Sequence, residues 1–159
     1  MTLTVGTNSY CTLEELRAYA LARGVTLSTT DSTVEVYAIK AMDYIEARRD
    51  KFQGYKTDDD QALQFPREYL YIDGALIDND VVPDVVKNAQ SQLVIDQHNG
   101  VDITPNHTSS SLPVIQKTVG PLTTKYSDKW GANTTPYLAK VNDLLKPVYK
   151  NTGMMSVHV

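Results

Sequence analysis

Apolar residues recur at helical spacing in four stretches of this chain, separated by polar runs too long to be simple connections. In the first stretch Leu13, Leu16, Ala20 and Leu21 follow the helical period. Thr12 and Glu15 stand at capping-box spacing, where the hydroxyl accepts from the backbone of Glu15 and the carboxylate reaches back. A helix is therefore predicted from Leu13, with Gly24 as its left-handed stop. Ser32 and Glu35 repeat the capping signal, and Val34, Ala38, Ala41, Met42 and Ile45 share one face of a longer helix running to Arg49. This second helix is expected to be the spine of the core. Tyr37 and Tyr44 lie a heptad apart on its flank, marking either the rim of the core or a subunit contact. Pro83 suits the first position of a third helix, with Asp84 in its first turn, Val86, Ala89 and Leu93 facing inward, and Asn99 and Gly100 as its stop. Pro136 opens a last helix through Leu138, Val141, Leu144 and Leu145, which Pro147 limits.

The polar intervals carry their own signals. Residues 52–67 form a long acidic and polar loop ending in an aromatic-Pro-Arg corner, and a loop of that size inside a small domain tends to be functional. Phe65, Pro66, Arg67 and Tyr69 are the candidates for anchoring it or for making an interface. Residues 69–77 alternate weakly around Asp73 and Gly74, which suits a short extended pair or an irregular turn. Residues 104–111 have the composition of a flexible linker. Two β-prone segments flank Gly120 and Pro121, and they read as a hairpin or an extended excursion over 114–126 whose candidate residues are Val114, Ile115, Lys117, Val119, Leu122 and Tyr126. The expectation is one domain over residues 1–149, with a flexible 101–113 and the 114–126 excursion, followed by a tail at 150–159. In and beside that tail, Tyr149, Met154, Met155 and Val157 are candidate anchors for a partner, or else belong to a frayed terminus.

Composition narrows the chemistry. The 159 residues suit one domain with a core of its own. The formal charge of -4 is unevenly spread: from residue 101 onward six lysines face three aspartates, giving +3 and leaving -7 for the preceding residues. A chain so divided can stack head to tail on its own copies or on a second protein, or simply be solvated on both faces. The single cysteine, Cys11, excludes an internal disulfide and reads as a small packed residue. No basic segment followed by an apolar core marks a signal peptide, and no run is long enough for a membrane span. His98, His107 and His158 are scattered, and Asp58 to Asp60 lack the alternating ligands and glycine of a calcium loop, so no metal is expected. Dispersed glycines disfavour nucleotide binding, and Cys11 has no nucleophile signature around it. No cofactor and no enzymatic activity are expected. Arg48, Arg49 and Lys51 at the end of the second helix complement its dipole. The acidic balance opposes nucleic-acid binding, although the lysines of the last third, interleaved with Tyr126, Trp130, Tyr137 and Tyr149, suit a small stacking platform or a set of core and interface anchors.

Several segments in order resemble the head-tail connector (adaptor) proteins of tailed bacteriophages: residues 9–16 leading to Arg23 and Gly24, then 38–45, 60–67 and 82–90, with short matches at 119–122 and 144–147. The likeness spans residues 9 to 149, and its motifs are short and non-catalytic. Related sequences also carry the label of a DnaT-like single-stranded-DNA-binding protein. The connector resemblance implies a mainly α fold, a compact helical bundle with a protruding extended loop or β-hairpin and an extended C-terminal tail. It implies a structural virion protein of the neck, made in the host cytoplasm and assembled as a ring, commonly twelvefold, between the portal protein and a tail-side connector or tail-terminator protein around the DNA channel. The alternative is a single-stranded-DNA-binding accessory protein. Ring closure needs two different complementary surfaces on each subunit, which the charge split offers.

Overall fold

The Thr12 hydroxyl accepts from the backbone N–H of Glu15 at 3.2 Å, and the Glu15 carboxylate accepts from the N–H of Thr12 at 2.7 Å. This reciprocal cap starts helix α1, Leu13–Leu21, where the spacing places it. The computed structural model describes residues 2–104, 116–119, 122–125 and 138–150. Leu16 and Ala20 of α1 are buried, whereas Leu21 is exposed and takes no part in the core. Helix α2, Asp31–Glu46, buries Val34, Ala38, Ala41, Met42, Tyr44 and Ile45. Its start differs from the expected capping signal: Thr30 is the N-cap and makes no side-chain cap bond, while Asp31 pairs with Arg17 of α1 at 2.8 Å. An acidic residue in the first turn favours the positive end of the helix dipole, so the start moves forward.

Helix α3 runs over Asp84–His98, with Pro83 as the N-cap one residue before the helix. Gly100 follows at φ +88 as the stop. Helix α4 covers Ala139–Leu145 and tightens into a 3-10 turn, Lys146–Val148. Pro136 lies outside the described residues. Helix α3, not α2, is the spine, since it packs against α1, α2 and α4. It buries Gln90, Ser91, Gln92 and Gln97 besides Val86, Ala89, Leu93, Val94 and Ile95. The buried amides hold the helices together: Gln90 donates to the carbonyl of Ala38 at 2.9 Å and accepts from the N–H of Tyr10 at 2.9 Å, and Gln97 donates to the carbonyl of Tyr37 at 2.8 Å. A buried amide must find such partners, and these ones tie α3 to α2 and to the N-terminal segment.

Between α2 and α3 the chain does not form a plain loop. After a 3-10 turn at Arg49–Lys51, strand β1, Tyr55–Lys56, pairs antiparallel with β2, Arg67–Glu68. Strand β3, Tyr71–Ile72, pairs with β4, Ala75–Leu76. Asp73 and Gly74 connect β3 to β4 with φ of +51 and +82, the two left-handed positions of a tight hairpin turn. A third two-stranded pair joins β5, Gln116–Val119, to β6, Leu122–Lys125. The expected compact helical bundle with a protruding loop is therefore corrected to a mixed α/β fold, with four helices and three small antiparallel sheets among the described residues. The reason is burial: Phe52, Leu63, Phe65 and Leu70 from the segment read as loop all join the core. Of the expected divisions, 101–113 is described only to residue 104, the 114–126 excursion only in its two strands, and the tail only at Lys150.

Candidate nucleic-acid interface

The described end of the chain runs back along the start of the segment between α2 and α3, residues 47–83, which forms an insert between the two helices. Phe52 and Tyr149 form an antiparallel bridge, Lys150 donates its N–H to Lys51 O at 2.7 Å, and Gln53 donates to Val148 O at 3.0 Å. Tyr149 stacks on Phe52 with ring centroids 5.7 Å apart, and burial raises its phenol pKa. This pairing opens a groove of about 760 Å³ lined by Lys51, Gln53, Lys146, Tyr149 and Lys150, with Asp50 and Pro147. The three lysines are exposed. Gln53 closes one side, donating to the carbonyls of Pro147 at 2.9 Å and Tyr149 at 3.0 Å and accepting from the N–H of Tyr71 at 3.4 Å. Three lysines against the one carboxylate of Asp50 leave this open groove positively charged, which suits an anionic chain such as a phosphate backbone.

The structure separates the candidates anticipated from sequence. Phe65 is fully buried, meeting Tyr10 and Phe52 edge to face, and the Phe65–Pro66 peptide is cis. Pro66 is half-buried. Arg67 is buried, donating to the carbonyls of Gln53 at 2.6 Å, Gly54 at 2.7 Å and Gln64 at 3.3 Å, and desolvation lowers its pKa. These residues are placed to anchor the insert from inside. Tyr69 instead stands exposed at φ +56, its ring edge-on to that of Tyr55 at 6.1 Å. Tyr149 packs within its own chain. Lys117, Val119 and Leu122 lie in β5 and β6, while Val114, Ile115, Tyr126, Trp130, Tyr137, Met154, Met155 and Val157 lie outside the described residues.

Sequence reasoning assigned Lys51 to the dipole of the second helix and Lys146 and Lys150 to a platform in the last third. Their meeting in one groove depends on a backbone pairing between segments distant in sequence, which spacing does not reveal. Gln53 was missed for the same reason. Among the described residues no group of three or more His, Cys, Asp or Glu is placed to hold a metal ion. No described helix is long and apolar enough to cross a membrane.

A family model described as "Putative DnaT-like ssDNA binding protein" matches residues 2–159. No curated protein and no solved structure matches the chain.

Proposed function

The chain belongs to the DnaT-like single-stranded-DNA-binding family, and from that premise we propose that it is a non-catalytic single-stranded-DNA-binding protein whose phosphate contact is the groove of Lys51, Lys146 and Lys150. The convergence of these three lysines on one groove carries the reading, because it creates a local positive surface on a chain of net charge -4. Contact with about three phosphates releases their counterions and gives a slope of log affinity against log salt of about -2 for a single strand. The acidic remainder of the chain repels a strand that strays from the groove, so binding is weak away from low salt. The test is fluorescence anisotropy of a labelled oligonucleotide at low ionic strength. Binding in the micromolar range with that salt dependence is expected, and the triple substitution Lys51→Gln, Lys146→Gln, Lys150→Gln should abolish it. Absence of binding by the unaltered protein at low salt would remove the reading.

The head-tail connector reading has one observation in its favour. Asp58, Asp59, Asp60, Asp73, Asp78 and Asp80 are exposed in the insert, so each subunit offers an acidic surface as well as the lysine groove. Two unlike, complementary surfaces are what a closed ring requires. On this reading the protein is a virion component of the neck that docks on a portal protein and a tail-side protein as a ring, probed by electron microscopy with and without portal. A subunit that stays monomeric in the presence of portal overturns it.

A further inference from the structure

We propose that the exposed tyrosines of the insert form a base-stacking platform continuing the lysine groove, and that a hollow between Tyr69 and Leu76 takes nucleobases bearing an exocyclic amino group. The inference rests on the reading of the groove as a DNA track. Tyr55, Tyr69 and Tyr71 are 71%, 62% and 50% exposed, and Leu76 beside them is 58% exposed. Core packing accounts for none of these rings. Nor does the turn account for Tyr69, because a bulky residue at φ +56 is uncommon and glycine or asparagine meets that backbone at lower cost.

The platform is continuous with the groove. Gln53 bonds both the Lys146–Val148 turn and the backbone of Tyr71, so the groove wall and β3 share one side chain. Tyr71 stands across from Leu76 in the β3–β4 register, and cross-strand partners share a face. Leu76 and Tyr69 border the same hollow of about 320 Å³, and Tyr69 meets Tyr55 edge to face. Glu68 and Asp78 also line that hollow, and neither carboxylate has a hydrogen-bond or ion-pair partner among the described residues. Carboxylates repel phosphate but accept from the amino groups of cytosine and adenine. A strand laid with its backbone on the lysines thus turns its bases toward the tyrosines, where those carboxylates select among them. Thymine has no exocyclic amine to offer.

The experiment compares oligonucleotides of equal length in dC, dA, dT and an abasic sugar-phosphate strand, titrated into the full chain at low salt. Tighter binding of dC and dA than dT by at least about fivefold is expected. The abasic strand should bind weakest of all. Tyr69→Ala should weaken dC binding about 5- to 150-fold while Tyr69→Phe restores it, as base–aromatic stacking requires. Tyr55→Ala serves as the second variant should Tyr69→Ala fail to fold. Glu68→Met and Asp78→Ala remove both the repulsion of phosphate and the acceptors for the amino groups, so dT and the abasic strand should bind more tightly and the ratio of dC to dT should collapse. Equal binding of abasic and dC strands overturns the platform and leaves the groove reading standing. So does Tyr69→Ala with unchanged affinity, and if the same variant alters the molecular mass in light scattering the tyrosines form a protein contact instead. If no strand binds at all, the groove reading fails and the platform with it.

Discussion

Arg67 shows how a single side chain can organise a segment that resembles a loop. Its guanidinium is buried and desolvated, and it is held by the carbonyls of Gln53, Gly54 and Gln64 and by the Gln64 side chain at 3.0 Å. Each of those carbonyls accepts a charge-assisted bond from the arginine fork, which no uncharged side chain of similar size supplies. Arg67→Met is expected to lower stability by about 2–4 kcal/mol, because the lost bonds outweigh the relief of burying one charge fewer. The measurement is the urea midpoint, and an unchanged midpoint would show that the carbonyls find other partners. The aromatic-Pro-Arg corner stands out in sequence because proline and a lone arginine follow an acidic run. Its mates do not, since backbone carbonyls have no sequence signature.

At the level of elements, local signals proved readable and context-dependent ones did not. The capping box of α1 needs only Thr12 and Glu15, three residues apart, and the hairpin turn needs only Asp73 and Gly74. By contrast, the spine was misplaced because α3 buries Gln90, Ser91, Gln92 and Gln97, residues that an apolar stripe assigns to solvent. The β1–β2 pair was also hidden, since two-residue strands leave no alternation to read. Its decisive residue is Gly54, at φ +63, where a Cβ would lie 1.8 Å from Glu68 O. No flexible side chain can yield there, because the obstructing atom is backbone. Gly54→Ala is therefore expected to separate the two strands and cost about 3 kcal/mol or more. Thermal denaturation should show a clear fall in midpoint, and Gly74→Ala, which meets no atom within 4 Å, should show a smaller one. Equal losses for the two would mean that backbone strain, rather than the close approach of β2, sets the requirement at Gly54.

Across the whole molecule, the charge split legible in the sequence anticipated a basic region but not its composition, because Lys51 reaches the groove from the acidic part of the chain. The mixed architecture was missed for a related reason: Phe52, Leu63, Phe65 and Leu70 are too sparse among polar residues to announce that the insert shares the common core. That shared core fixes a dependence on alkaline pH. Tyr10 is fully buried, its hydroxyl donates to Glu46, and the N–H of Gln64 donates to the same carboxylate, joining the N-terminal segment, α2 and the insert. Burial first, and then the Glu46 charge, raises the Tyr10 phenol far above its ordinary value of 10.0. Burial likewise pushes the Cys11 thiol from 9.0 up to about 11. In both cases the folded state keeps a proton that the unfolded chain releases first as pH rises. The folded state then binds more protons than the unfolded one, so stability falls with rising pH. The contribution is present in full below about pH 9, and the Cys11 part is lost progressively up to about pH 11, where the folded thiol itself ionises. The Tyr10 part begins to fall near pH 10 and continues beyond. Urea midpoints measured from neutral pH to about pH 11 should therefore decline. Cys11→Ala should flatten the early part of that decline and Tyr10→Phe the later part. A flat profile in the unaltered protein would mean that these groups titrate alike in both states and that the junction they form is open to water.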